Sequence, residues 1–189
     1  MNELLEKINK FKPINEQEKV DKELLIKYIK LFPNIASREN NICHLTASCW
    51  IVNKERTKVL MAYHNIYKSY AWLGGHADSN FNLLEVAIKE CSEESGLKNI
   101  RPIVNDIYSI EILPVNSHIK KGKFISSHLH LDCCYLLECS ELEELKIKED
   151  ENSSLNWFNI EDVLNITNEE NMKPIYKKLN DKLKLIKNT

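Results

Sequence analysis

The sequence predicts an α/β protein, an α/β/α sandwich with a mixed sheet that follows an N-terminal helical extension. Three observations predict this class. Residues 1–40 show apolar side chains at helical spacing, several runs from residue 44 onward show strand character, and further helical patterns lie at 83–95 and 169–186. Because strands surround the first of these helices and the second closes the chain, we expect helices to cover a sheet on both faces.

The extension, residues 1–40, is predicted to form two helices separated at Pro13. Pro33 is expected to end the second helix, because the residue before a proline disfavours the helical conformation. This helix carries an apolar stripe formed by Leu24, Leu25, Tyr28, Ile29 and Phe32. A helix this short cannot build a core alone. We therefore expect it to dock on the main domain, residues 41–189, or on a second subunit of a homodimer.

The main domain is predicted to alternate strands with the two further helices. Strands are expected at 44–52, 58–64, 107–115, 127–138 and Trp157–Phe158, with a turn at 53–57. A small helix is expected near residues 161–163. The C-terminal helix, 169–186, presents an apolar inner face made of Ile175, Leu179, Leu183 and Ile186.

Charge and hydropathy exclude several partners. The net charge of −2 provides no global basic field, so no nucleic-acid partner is expected. No apolar run is long enough to span a membrane, and the first residues lack the basic start and apolar middle of a signal peptide. We expect a cytoplasmic protein whose six cysteines are buried and reduced. For the adjacent Cys133 and Cys134, the alternative interpretation is a redox-sensitive pair of thiols.

Signals at both ends of the segment 83–95 predict a well-defined helix. Asn82 is a favourable N-cap, and Glu85 stands three residues later, as a capping box requires. Phe81 and Val86 occupy the positions of a hydrophobic staple. Gly96 suits the left-handed residue that follows a helix.

The last turns of this helix carry three glutamates on one face. Glu90, Glu93 and Glu94 are spaced i, i+3 and i+4, so their carboxylates lie side by side. Like charges in this arrangement repel one another, and helix stability gives no reason to cluster them. A divalent cation that prefers oxygen ligands supplies such a reason.

The segment Gly75–Leu97 resembles the Nudix box, the signature of the Nudix hydrolases, which reads G-x5-E-x7-R-E-U-x-E-E-x-G-U, where U is a bulky apolar residue. Gly75, Glu90, the pair Glu93–Glu94 and the pair Gly96–Leu97 match at the expected spacing. Phe81 stands where the first glutamate belongs, and Lys89 replaces the arginine. The resemblance implies the Nudix fold and hydrolysis of a phosphoanhydride bond.

The resemblance also implies a metal site and catalytic roles. Glu90, Glu93, Glu94 and the backbone carbonyl of Gly75 are the expected ligands of Mg²⁺, with Mn²⁺ as a possible substitute. Lys89 is expected to orient Glu90 or a neighbouring carboxylate. Glu93, or a carboxylate of the late acidic loop, is expected to act as the base. That loop contains Glu149, Asp150 and Glu151, and a merely solvated loop is its alternative.

Histidines outside the box form a second group of candidates. His128, His130 and Asp132 alternate along one predicted strand and therefore share a face. They are expected to line the substrate pocket or to add a metal ligand, and the alternative is a polar sheet face satisfied by hydrogen bonds. His76 follows two glycines and is a further candidate for substrate contact. His44 lies at the edge of a strand, where we expect a structural role.

The expected substrate is a nucleoside diphosphate linked to another moiety, again by resemblance. Two alternatives remain open. A non-catalytic nucleotide-binding module of the same fold would suit the missing first glutamate, although all three later glutamates are present. Isopentenyl-diphosphate isomerases share the fold and have a Cys-Gly-His sequence near the box. The matching residues are Gly74, Gly75 and His76, so the catalytic cysteine is replaced by glycine.

Overall fold

The structure is a computed structural model and describes residues 1–65, 68–120, 122–148 and 152–186. Its helices are α1 (Asn2–Lys10), α2 (Glu16–Leu31), α3 (Leu83–Ser95), α4 (Val163–Ile166) and α5 (Lys173–Leu185), and a 3-10 turn, Ile160–Asp162, precedes α4. Its strands are β1 (Cys43–Val52), β2 (Lys58–His64), β3 (Ser69–Ala71), β4 (Leu73–His76), β5 (Arg101–Pro102), β6 (Ser109–Val115), β7 (His118–Lys120), β8 (Lys123–Ile125), β9 (His128–Glu138) and β10 (Asn152–Asn159).

Eight of the described strands form one sheet with the hydrogen-bonded order β10-β2-β1-β9-β5, to which β3 adds on β2, β4 on β1 and β6 on β9. The hairpin β7–β8 stands apart from this sheet. The predicted α/β class is thus confirmed. The chain divides into two compact units, one made of residues 1–48, 74–87 and 104–135 and the other of residues 49–73, 88–103 and 136–189. The elements β1, α3 and β9 run through both units.

In the first unit, α2 lies against β6, and side chains of the helix bind the backbone of the strand. The Gln17 Nε2 donates to the carbonyl oxygen of Ile110 at 3.1 Å, and the backbone N–H of Ile112 donates to Asp21 Oδ2 at 3.0 Å. The helix begins after Asn15, whose side chain accepts from the N–H of Glu18. The extension therefore docks on the main domain of its own chain. This is the first of the two placements that the sequence predicted.

In the second unit, α5 packs through Tyr176. The ring of Tyr176 stacks on Trp50 with centroids 5.3 Å apart and meets Trp72 edge-on at 5.7 Å. Leu179 and Leu183 are buried, as predicted for the inner face. The helix begins at Lys173, four residues later than predicted, and Pro174 occupies its first turn, where a missing N–H costs nothing.

The predicted strands are all present, and the strands that the sequence did not predict are short. β3, β4, β5, β7 and β8 contain two to four residues each, too few to show an alternating pattern. β10 begins at Asn152, five residues before the predicted start, because pairing with β2 extends to His64 despite a polar sequence. Tertiary pairing here overrides weak strand propensity.

Burial agrees with the prediction made for the cysteines. All six cysteines are buried and none forms a disulfide. Among the helices of the described residues, none has both the length and the apolar character needed to cross a membrane.

Candidate active site

The helix α3 begins directly after Asn82 and ends before Gly96, as its sequence predicts, and Asn80 adds side-chain hydrogen bonds at its start. The N–H of Asn82 donates to Asn80 Oδ1 at 2.8 Å, and Asn80 Nδ2 donates to Glu85 Oε2 at 3.3 Å. Asn80 thus links the two residues that the predicted capping box would join directly. At the other end, Gly96 has a φ of +74°, and its N–H donates to the carbonyl of Ser92 at 2.8 Å. This left-handed glycine was predicted.

The three glutamates of α3 differ in exposure. The Glu94 residue is 8 % exposed, while the side chains of Glu90 and Glu93 are 14 % and 47 % exposed. The Nζ of Lys89 lies 3.8 Å from Glu90 Oε1 and 3.4 Å from Glu93 Oε1. The second unit therefore contains a carboxylate cluster that grades from buried to exposed, with one ammonium group against two of its members.

The donor chemistry of this cluster fits a hard divalent cation. Three carboxylates on one helix face offer only oxygen donors, which Mg²⁺ and Mn²⁺ prefer. Gly75 lies in β4 of the first unit, and its role as a further ligand stays a prediction.

The first of the two glycines in β4, Gly74, has a steric cause. A Cβ atom built on Gly74 would stand 2.6 Å from the carbonyl oxygen of Ala47 and 2.6 Å from the Cα of Ser48. These are backbone atoms of β1, which cannot move aside without breaking the pairing of β4 with β1. No side chain fits at position 74, so the cysteine that the isomerase alternative needs is excluded by β1 as well as absent from the sequence.

Four imidazole rings meet in the first unit. The ring centroid of His44 lies 5.1 Å from that of His76, 4.9 Å from that of His128 and 5.1 Å from that of His130. Burial lowers the pKa of His44, although its hydrogen bond to the backbone of Asn40 opposes the shift. The predicted candidates His76, His128 and His130 are therefore brought together, around a fourth histidine.

Asp132 shares the strand β9 with two of these histidines but has local partners. Its Oδ1 accepts from Thr46 Oγ1 at 2.7 Å and its Oδ2 from Ser48 Oγ at 2.5 Å. Burial raises the pKa of Asp132 to about 6, while the bonds from Ser48 and Thr46 act to lower it. This is the satisfied polar face that the sequence offered as an alternative, and substrate contact by Asp132 stays a prediction.

Sequence reasoning missed the place of His44. The residue is 4 % exposed and lies at the centre of the imidazole group. A signal was available, because His44, Thr46 and Ser48 alternate along an otherwise apolar strand and must share one face. The other predicted group, the acidic loop of Glu149, Asp150 and Glu151, falls outside the described residues.

Fold and site together define an α/β protein in which one helix presents a cluster of carboxylates. The particular family follows from comparison with known domains. The family model described as the NUDIX domain matches residues 43–179. The chain belongs to the Nudix family, and it is a hydrolase that acts on pyrophosphate bonds.

Solved structures of the same fold agree with this assignment. A Nudix-family hydrolase from Clostridium perfringens is 26% identical, with a TM-score of 0.52, over 76% of this chain and 98% of that one. An Ap4A hydrolase from C. elegans, solved as a binary complex, is 17% identical, with a TM-score of 0.53, over 75% and 98%. A Nudix hydrolase from M. smegmatis is 14% identical, with a TM-score of 0.56, over 77% and 89%. A search of curated proteins found no match.

Proposed function

We propose that this Nudix hydrolase cleaves the phosphoanhydride bond of a nucleoside diphosphate linked to another moiety, with Mg²⁺ held by Glu90, Glu93 and Glu94. Mn²⁺ would substitute for Mg²⁺, since both accept carboxylate oxygens. The observation that carries the proposal is the cluster of three carboxylates on one face of α3, with Lys89 against two of them. A cytoplasmic location and a possible homodimer belong to the same proposal.

The three carboxylates are assigned different roles according to their exposure. The bound cation would offset the charge of the phosphates and lower the pKa of a water molecule. Glu94 and Glu90, which are the less exposed, hold the cation, and burial keeps their rotamers fixed. Glu93 is the most exposed of the three and would accept the proton of the attacking water. Lys89 positions Glu93 and Glu90 by its contacts at 3.4 and 3.8 Å.

Histidines of the first unit are the proposed residues for substrate contact. His76, His128 and His130 would face the phosphates or the base of the substrate, because imidazole offers both hydrogen bonds and a flat ring. Asp132 contributes indirectly, since its bonds to Thr46 and Ser48 hold β9 against β1. The C. elegans neighbour is an Ap4A hydrolase, and a dinucleotide of that kind falls within the proposed substrate class.

A substrate panel tests the proposal. The purified chain would be incubated with nucleoside triphosphates, nucleotide sugars and dinucleoside polyphosphates, with and without Mg²⁺, and the products separated by chromatography. We expect release of a nucleoside monophosphate from at least one compound, only with the metal, and its loss in Glu94→Gln. Glu85→Gln is the matched control, since Glu85 lies on the same helix, is exposed and contacts Asn80.

The binding-module alternative remains the second candidate because Phe81 replaces the first glutamate of the box. It predicts that a nucleotide from the panel binds tightly, as measured by calorimetry, without turnover under any metal. That result would overturn the hydrolytic proposal. Proton exchange on a prenyl diphosphate would instead support the isomerase, which Gly74 argues against.

A further inference from the structure

We propose that His44, His76 and His130 bind a Zn²⁺ ion, at a second metal site whose donors are imidazole nitrogens. The three residues lie on β1, β4 and β9 of the first unit, and one ligand nitrogen from each lies within 4.8 Å of the other two. Nitrogens bound to zinc at about 2.0–2.1 Å in tetrahedral geometry lie closer together than that. Small rotations of the rings would bring them to the ion, while the strands stay in place.

The state of His44 is the second observation that points to a ligand. Its Nδ1 lies 3.0 Å from the carbonyl oxygen of Asn40. Because a carbonyl only accepts, Nδ1 carries the proton and Nε2 has a lone pair. That Nε2 is buried, and no residue in the described parts of the chain provides it with a hydrogen bond. A buried acceptor without a partner costs free energy, and a bound cation would satisfy it.

The bond between His44 and Asn40 is also the kind of support that metal ligands commonly have. Histidine ligands usually donate their second ring N–H to a carbonyl or carboxylate, which fixes the tautomer and the ring orientation. The carbonyl of Asn40 supplies this to His44 before any ion is bound. His128 lies beside the trio, with its Nε2 3.3 Å from that of His130 and its Nδ1 2.8 Å from the carbonyl of Ser126. It therefore restrains the ring of His130.

The donor set selects the metal. Neutral imidazoles suit zinc and other borderline transition metals, whereas Mg²⁺ prefers oxygen. Three histidines leave the fourth tetrahedral position open to water or to an oxygen of a ligand. The site thus differs in chemistry from the carboxylate cluster of α3. If His76 and His130 contact a phosphate, they would do so through the open position of the ion.

Metal binding by the full chain, freed of metal with a chelator, tests the site. Co²⁺ serves as a coloured stand-in for zinc, because tetrahedral coordination produces strong visible absorption, and competition with Zn²⁺ then measures the zinc affinity. We expect one tetrahedral Co²⁺ ion per chain. Loss of a group that only supports a metal ligand weakens metal binding by about 10–100-fold, so removal of a ligand in His76→Asn or His130→Asn should weaken it by at least about 100-fold.

Two controls separate this site from the rest of the molecule. His118→Asn should leave zinc affinity unchanged, because His118 lies in the separate β7–β8 hairpin, where its Nδ1 is 3.0 Å from the carbonyl oxygen of Asn116. The triple variant Glu90→Gln, Glu93→Gln and Glu94→Gln should keep the cobalt absorption. Circular dichroism of each variant checks folding, and His44 itself is left intact because it is buried.

Three results would overturn the site. They are the absence of cobalt absorption and of bound zinc in the wild type, unchanged affinity in folded His76→Asn and His130→Asn, and loss of binding in the folded glutamine triple variant. The inference does not rest on the proposed function, since its readout is metal binding. A chain that binds zinc but hydrolyses nothing would contradict only the hydrolytic proposal.

Discussion

The carboxylate cluster of α3 and the imidazole cluster of the first unit differ in how the chain builds them. The three glutamates lie within five consecutive residues of one helix, and helical geometry alone brings them together. The histidines lie on three strands that are distant in sequence, and strand pairing brings them together. The first cluster offers hard oxygen donors and the second offers borderline nitrogen donors. One chain therefore contains two groups of side chains that could bind a metal. Only the glutamates, which are neighbours along the helix, can be recognised as a group from the sequence.

The largest expected effect tests whether the two clusters are independent. Glu94→Gln should lower kcat by about 10²–10⁴-fold, the range of a lost acid–base or ligand carboxylate, because the neutral amide binds Mg²⁺ poorly. The same variant should bind Zn²⁺ within about twofold of wild type, since the imidazoles supply other donors. Steady-state kinetics and cobalt titration measure the two quantities.

Glu85→Gln is the control for this comparison and should change neither value by more than about twofold, as most surface substitutions do. A parallel loss of activity and zinc affinity in Glu94→Gln, with folding intact, would show that one cluster depends on the other.

The next effect concerns the polar support behind the histidines. Asp132→Ala should lower the free energy of unfolding by about 2–4 kcal/mol, because it removes two hydrogen bonds and leaves the buried hydroxyls of Thr46 and Ser48 without their acceptor. Urea denaturation monitored by tryptophan fluorescence measures it. Thr46→Val, which removes one bond and keeps the shape, should cost less. Equal losses of unfolding free energy in Asp132→Ala and Thr46→Val would contradict the conclusion that Asp132 accepts from both hydroxyl groups.

A smaller loss of stability is expected when a side chain is added where β4 lies close to β1. Gly74→Ala places a Cβ 2.6 Å from backbone atoms of Ala47 and Ser48, and overpacking of this kind costs about 1–3 kcal/mol. Gly122→Ala separates backbone strain from crowding: its φ of +76° strains an alanine, but nothing lies within 4 Å of the added atom. Thermal unfolding compares the two. If Gly74→Ala is as stable as wild type, the steric argument against a cysteine at this position fails.

The smallest effect concerns the residue that departs from the arginine of the Nudix box. Lys89→Ala should lower kcat by about tenfold, which is about 1.4 kcal/mol, because Glu93 and Glu90 lose the ammonium group that positions them. Lys89→Arg should retain or exceed the wild-type rate, since the planar guanidinium group can donate two N–H groups to a carboxylate at once. Zinc affinity should not change. A Lys89→Ala variant with full activity would show that the contact is only a surface ion pair, which is usually worth little.

Much of the site around α3 was predictable, because its signals are local. The spacing of the glutamates and the glycine at position 96 both act within a few residues of the helix that they shape. The bonds that Asn80 makes to Asn82 and Glu85 at the start of this helix were not predicted. The start of β10 was less predictable, because Asn152 and its polar neighbours are held in a strand by their pairing with β2.

By itself, the sequence determined the α/β class, the helix that carries the glutamates, the break at Pro13 and the family. Each depends on periodicity or spacing within a short segment, which backbone geometry converts directly into structure. Only the tertiary structure decided that His44 joins His76 and His130, that Asp132 binds Thr46 and Ser48, and that Gly74 must lack a side chain. These depend on which strands pair and in what register, whereas alternation along one strand shows only which of its residues share a face.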